Sequence, residues 1–234
     1  MGFDGQVAMI TGAAGNLGRA TAAAFAAQGA RLVLLDLETR ALETAYGPED
    51  DTRLYAAANL EDSASVAAAA ERALARFGRI DMLCNIAGGF RMGPPVHETP
   101  DELLRRMIEL NAGSVMRTAR AVVPGMIAAG FGKIVNVAAM GGTAGGALIG
   151  AYAASKSAVI RLTESMAAEL REKGINVNCV LPSVIDTPPN RASMPSADFR
   201  RWVAPAALAD VILFLCSEQA RAIHGAAVPV VGLS

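Results

Sequence analysis

The chain has 234 residues, with 21 Lys and Arg against 22 Asp and Glu, for a net charge of −1. That balance argues against a basic nucleic-acid groove or a polybasic membrane patch. Hydrophobic residues make up 53% and charged residues 18%, apolar enough for a large core and too apolar for a disordered chain, and the length fits one domain over residues 1–234. No apolar run reaches the roughly 20 residues of a membrane helix, and Met1–Gln6 lacks the basic start of an export signal. Cys84, Cys179 and Cys216 are odd in number, far apart and set in apolar stretches. They read as reduced core thiols of a cytoplasmic protein, without disulfide or metal-ligand spacing.

Seven short aliphatic runs predict strands: Val7–Ile10, Arg31–Leu35, Arg53–Ala57, Met82–Asn85, Lys133–Ala138, Asn176–Leu181 and Ala227–Val231. Alanine-rich amphipathic stretches separate them, so the pattern is β-α-β-α. The fold class expected is α/β, a doubly wound parallel sheet between two helix layers, the Rossmann arrangement. The runs are apolar on both faces, as helices on both sides require. Thr99 and Glu102 have capping-box spacing with Pro100 in the first turn, and Gly174 stands where a C-cap glycine belongs. Val66, Ala70, Leu74 and Phe77 fall on one helical face. Long helices are expected at Pro100–Ala129 and Ala151–Arg171. Residues 183–204 break the rhythm with Pro188, Pro189 and Pro195, flanked by Pro182 and Pro205. A loop of that length after a strand's carboxyl end reads as a lid.

Thr11-Gly12-Ala13-Ala14-Gly15-Asn16-Leu17-Gly18 follows the first strand and opens a helix. Its glycines permit a tight turn, backbone approach to a pyrophosphate and close helix–strand packing. Eighteen residues on, Asp36 ends the second strand. A carboxylate there can accept both adenosine ribose hydroxyls and repels a 2′-phosphate, favouring NAD(H) over NADP(H); the plainer alternative is a turn residue. Tyr152 and Lys156 lie four apart on a predicted helix and share a face, where an ammonium would lower the pKa of a phenol and fit it for proton transfer.

Together these residues resemble the short-chain dehydrogenase/reductase family: the Thr11–Gly18 turn, Asn85-Ile86-Ala87-Gly88, Asn111, Tyr152-x-x-x-Lys156, and Pro182 with Thr187, in the family's order. The resemblance implies Tyr152 as proton donor, Lys156 also holding the nicotinamide ribose, Asn111 supporting a relay water, and Ile185 and Thr187 beside the carboxamide. Asn59 and Leu60 resemble the adenine-side pair, with Asn59 where aspartate is commoner. Asn85 and Asn111 can equally be structural amides. It also implies a small-molecule substrate and self-association as a dimer or tetramer.

One departure stands out. The family's serine, thirteen positions before the tyrosine, is Ala139 here. Loss of one oxyanion donor typically costs ~10²–10³ in rate. Thr143 is the nearest candidate hydroxyl, though a turn role suits it better. The Leu181–Phe199 stretch with Trp202, Ala87-Gly88-Gly89-Phe90 and Gly145–Tyr152 resemble dihydropteridine reductases, family members that also lack the serine. The implied reaction is hydride transfer to a conjugated imine or quinonoid acceptor, which needs little oxyanion stabilisation. Phe90 and Trp202 can stack on a flat ring and Arg91 or Arg191 can anchor a polar edge; both arginines can equally be solvated. Ala139 would border that substrate. The alternatives are a carbonyl reductase or secondary-alcohol dehydrogenase and, from another class, a non-catalytic NAD(H)-binding redox sensor. No metal site is expected, and His97 and His224 read as bystanders.

Overall fold

The computed structural model describes residues 2–234. Seven strands form one parallel sheet: β1 (Val7–Thr11), β2 (Arg31–Asp36), β3 (Arg53–Ala57), β4 (Met82–Asn85), β5 (Gly132–Val137), β6 (Ile175–Pro182) and β7 (Ala227–Val230). Their order is β3-β2-β1-β4-β5-β6-β7. The winding therefore reverses at β1, whose Ile10 pairs with Leu34 on one side and Cys84 on the other. Such a switch point opens a crevice at the carboxyl ends of β1 and β4, where this class of sheet binds ligands.

Alternate residues of each strand feed two cores. Ile10, Leu34, Met82 and Cys84 pack under α1 (Asn16–Ala26), α2 (Thr39–Tyr46) and α8 (Pro205–Cys216) with Phe25, Leu42, Leu208 and Ile212. Met9, Val33, Leu83 and Ile134 face α3 (Ser63–Phe77), α5 (Ser114–Ala129) and α6 (Gly150–Leu170) with Ala69, Ala70, Ala73, Val122 and Met126. All three cysteines are free and buried. Among the described residues no helix is long and apolar enough to cross a membrane, and no group of His, Cys, Asp and Glu could hold a metal ion.

Several local expectations need correction. Thr99 and Glu102 form no capping box: Pro100 is the N-cap of α4 (Asp101–Ile108) without a side-chain cap bond, the Thr99 hydroxyl donates to the Pro95 carbonyl at 3.2 Å, and Glu102 pairs with Arg105. On α3 the 3.6-residue period turns Leu74 outward, and Ala69 and Ala73 complete the buried face. The helix expected over Pro100–Ala129 is divided by a π-turn at Glu109–Gly113. Gly174 does cap, with φ 76°, after a short 3₁₀ turn. Residues 183–204 are not without structure, because Thr187 caps α7 (Pro188–Ser193) and Phe199–Arg201 forms a 3₁₀ turn.

Candidate active site

The glycine turn is held by contact and not by choice of flexible residues alone. Gly12 has φ 64°, and a Cβ there would lie 3.0 Å from Ala87 Cα. A Cβ on Gly18 would lie 2.2 Å from the Gly12 carbonyl oxygen, so α1 can rise directly over the turn only with glycine at that place. The Thr11 hydroxyl accepts from the Ile86 and Ala87 amides at 3.0 and 3.1 Å. Buried Thr11 thus ties β1 to the segment after β4 and does not itself face the crevice.

The crevice is a cavity of about 640 Å³. Of the predicted residues it is lined by Gly12, Gly15, Asn16, Leu17, Gly18, Asp36, Asn59, Leu60, Ala87, Gly88 and Thr187. Glu61, Arg106 and Leu110 line it too, and the sequence carried no signal for them because the turn after β3 and the turns of α4 and the π-turn are placed by the fold. Both oxygens of the Asp36 carboxylate accept backbone bonds, from Ala14 and Leu37 at 2.9 Å each. Tyr46, also without a sequence signal, donates to the Ala13 carbonyl at 2.6 Å. The Asn59 side chain closes its own turn onto the Glu61 amide, and the Leu60 carbonyl receives Arg117.

Asn85 does not face the cavity. Its amide donates to Asn136 (2.9 Å) and accepts from Thr118 (2.8 Å), and Asn136 continues to Thr163 (2.9 Å). This buried chain bolts α5 and α6 to the ends of β4 and β5 through the Asn85 amide. Pro182 is the last residue of β6, and Ile185 bridges to Val203, with its carbonyl held by Asn190 at 2.8 Å.

Next to the crevice, the π-turn aims Asn111 inward. Its amide donates to the Gly89 carbonyl at 3.1 Å and to the Ser155 hydroxyl at 2.9 Å, and its oxygen accepts from the Gly89 amide at 3.0 Å. Ser155 donates in turn to the Tyr152 carbonyl at 2.7 Å, coupling Asn111 to the first turn of α6. Gly88 sits where a Cβ would lie 2.7 Å from Asn111 Oδ1 and 3.2 Å from Lys156 Nζ. The three therefore meet at one point.

The charge arrangement departs from expectation. The buried Lys156 ammonium donates to the Val137 carbonyl at 2.8 Å and is not bonded to the phenol. Burial lowers its pKa to about 8. Burial likewise raises Tyr152 to about 12, with no cation offsetting it. Tyr152 therefore holds its proton across the neutral range, the state an acid needs. Its ring meets Phe90 edge-on, centroids 4.9 Å apart and planes at 82°. Ala139 is buried, a methyl on extended backbone, and the Thr143 hydroxyl donates to Met140 O at 2.7 Å as a turn residue. Arg191 is bound to Asp186 at 2.6 and 2.7 Å and lies over the Phe199 ring, against which Trp202 tilts. It is not a free anchor. Arg91 is exposed. His224 touches the Asn176 amide and His97 pairs with Glu98, both away from these residues.

The short chain dehydrogenase family profile matches residues 6–197. This chain belongs to that family. It is an oxidoreductase. A sorbitol dehydrogenase of Cereibacter sphaeroides is 38% identical over 187 residues, covering 80% of this dehydrogenase and 73% of the relative. A cis-4-hydroxycyclohexanecarboxylate dehydrogenase of Sinomonas cyclohexanicum is 36% identical over 240 residues, covering 98% and 96%. A 3-ketoacyl-(acyl-carrier-protein) reductase from Brucella melitensis, solved with NADH, superposes with TM-score 0.88 at 32% identity over 98% of both chains.

Proposed function

We propose that this dehydrogenase is an NAD(H)-linked reductase in which Tyr152 hands over a proton without a hydroxyl partner, acting on a conjugated imine or quinonoid acceptor of the kind dihydropteridine reductases take. The observation that carries this is the buried Ala139 methyl in the serine's place, with Thr143 tied to Met140. An acceptor that spreads the incoming charge over its own conjugated system needs no donor there.

The dinucleotide fits the crevice in the features that matter: a glycine turn too tight for any Cβ at Gly18, the N-terminus of α1 for the pyrophosphate, and Asp36 for the adenosine ribose. The reductase solved with NADH supports the same choice. Asp36 disfavours a 2′-phosphate, hence NADH over NADPH. When bound, the dinucleotide supplies the hydride and is left oxidised. Tyr152 gives its Oη proton to the acceptor nitrogen or oxygen, and solvent restores it. Lys156 and Asn111 flank Gly88 and hold the ribose end and the proton path. Residues 183–204, stiffened by α7, close the cleft as a lid over this single domain.

A second reading has its own support. The relatives named for sorbitol and for a hydroxycyclohexane carboxylate act on alcohols, which favours a secondary-alcohol dehydrogenase or carbonyl reductase with water in place of the hydroxyl. A panel of quinonoid dihydropterin and simple ketones, assayed with NADH and NADPH side by side, tests both. Fast NADH oxidation by the dihydropterin and slow turnover of ketones is the expected result. Equal turnover of unactivated ketones establishes the second reading instead.

A further inference from the structure

Two short segments, 88–96 and 139–150, form a mouth around Tyr152: Phe90 meets its ring, and a Cβ on Gly141 would lie 3.4 Å from its Cε1. Between Ala139 and Gly150 there is no charged side chain and one hydroxyl, Thr143, which is already bonded to Met140. The opposite segment contributes Phe90, 61% exposed, Met92, 58%, and Val96, 74%. These are apolar groups left in water on the segment that carries Phe90 to the phenol. Phe90 stands edge-on to Tyr152. The space beside Gly150 is filled by Val96, whose Cγ2 would be 2.8 Å from a Cβ there. The Gly93 amide donates to the Leu148 carbonyl at 2.8 Å and fastens the two segments together.

Leu148 adds an independent sign. It has φ 62°, and among the described residues it is the one non-glycine with a positive φ. That conformation is strained for leucine, and strain of this kind gathers at ligand sites. Glycine already stands at 145, 146 and 150, so a relaxed turn lay within easy reach of the sequence. Leu148 places an apolar side chain, 40% exposed, on a backbone that disfavours it.

We infer that this mouth selects a cyclic substrate that lays a flat face against Phe90 and Leu148 and presents its reacting group to Tyr152, and discriminates against open-chain polyhydroxylated substrates. The reason is the cost of desolvation. A polyol brings several hydroxyls that must find partners once water is displaced, and a site that takes such groups lines itself with matching donors and acceptors. Here Ser155 is bonded to Asn111 and Tyr152, Lys156 to Val137 and Thr143 to Met140, and the one charged side chain of the two segments is the exposed Arg91, a single donor group against several hydroxyls. A ring, by contrast, covers Phe90 and Leu148 and gains from their burial. The inference rests on Tyr152 as the proton donor of the reaction, and it separates sharply between the two kinds of relative found above.

The test uses the full chain with NADH, cyclohex-2-enone as the cyclic probe and erythrulose as the open-chain one. The expected kcat/KM ratio favours the ring by about 100-fold, on the scale of a few unpaired hydroxyls. Leu148→Gly and Phe90→Ser each lower that ratio about tenfold, the effect of one lost apolar contact surface, while Leu148→Gly unfolds at a higher temperature because its strain is gone. Erythrulose turned over as well as the ring, or a ratio unmoved by both substitutions, overturns the inference. Ligand-induced shifts in melting temperature of the Tyr152→Phe protein with NADH read selection without turnover. A ring that binds selectively there but is never reduced by the wild type sinks the proton-donor reading and leaves selection standing. No selectivity in binding sinks the selection itself.

Discussion

The Tyr46 hydroxyl donates a 2.6 Å hydrogen bond to the carbonyl of Ala13, a residue 33 positions earlier, and so fastens the end of α2 to the glycine turn. Burial holds this phenol far above its ordinary pKa, so the donor proton is retained at every working pH. Removing it in Tyr46→Phe costs about 1 kcal/mol of stability, the usual net contribution of one such bond. If the turn carries the pyrophosphate, Kd for NADH rises about threefold to fivefold, the same energy read as binding, with kcat unchanged. Fluorescence titration with NADH checks this, and an unaltered Kd removes Tyr46 from the cofactor site.

Restoring a hydroxyl in Ala139→Ser acts on the chemistry alone. The position is buried on extended backbone, so serine adds one oxygen to a site that already packs a methyl. Rates with unactivated ketones are expected to rise by ~10²-fold, the scale of one oxyanion donor, with little change for a quinonoid acceptor. A steady-state comparison of the two substrate types measures the difference. A uniform gain on both would mean that the conjugated acceptor also leans on a donor at this place.

The sheet was legible because each strand is a short aliphatic run feeding two buried faces. The seven expected runs agree with β1–β7 to within a residue at either end. Covalently local features of the site were legible for a similar reason: the glycine turn, Asp36 and the four-residue spacing of Tyr152 and Lys156 are each set by neighbours in sequence. What escaped depends on residues brought together from far apart. The inward turn of Asn85 is decided by Asn136 and Thr118, and the grip of Asp186 on Arg191 by the folding of α7. The pKa of Tyr152 is decided by burial, with no offset from a lysine on the same helical face that donates to Val137 instead. The π-turn at Glu109–Gly113 adds one residue to a helical repeat and left no trace in the hydrophobic pattern.

Lys156 gives the reaction a pH limit. With its pKa lowered to about 8 by burial, the ammonium is lost above that value, and KM for NADH should rise there if Lys156 holds the ribose, while Tyr152, at about 12, keeps its proton. Stability moves the other way. In the unfolded chain the lysine titrates near its ordinary 10.5, so between about pH 8 and 10.5 the unfolded state binds more protons and stability rises with pH. Lys156→Met lacks that rise. Melting temperatures of the two proteins across pH 7–11 should converge upward for the wild type, and parallel curves would contradict the burial of a titrating lysine.

Asp36→Asn removes the charge and one of the two backbone bonds, because the amide oxygen can still accept from Ala14 while its NH2 cannot accept from Leu37. Removing the negative charge should improve kcat/KM with NADPH relative to NADH by about tenfold, the effect of one charge on a 2′-phosphate at a partly solvated site. An unchanged ratio would assign cofactor choice to residues other than Asp36.

Arg106 is the cation of the cofactor cavity, whose lining also holds the carboxylates of Asp36 and Glu61. Its neighbours on the same stretch are committed, Arg105 to Glu102 and Arg117 to Glu109, whereas Arg106 is exposed and enters no ion pair among the described residues. A dianionic dinucleotide entering a cavity with two carboxylates needs that positive charge, and the interaction is screened by salt because the guanidinium is in water. Arg106→Gln should weaken NADH binding about fivefold at low ionic strength, an interaction of roughly 1 kcal/mol. The loss should shrink toward zero at 0.5 M salt, and Arg105→Gln should leave Kd unchanged. A deficit that persists at high salt would mean that Arg106 supports the cavity wall through packing and not through its charge.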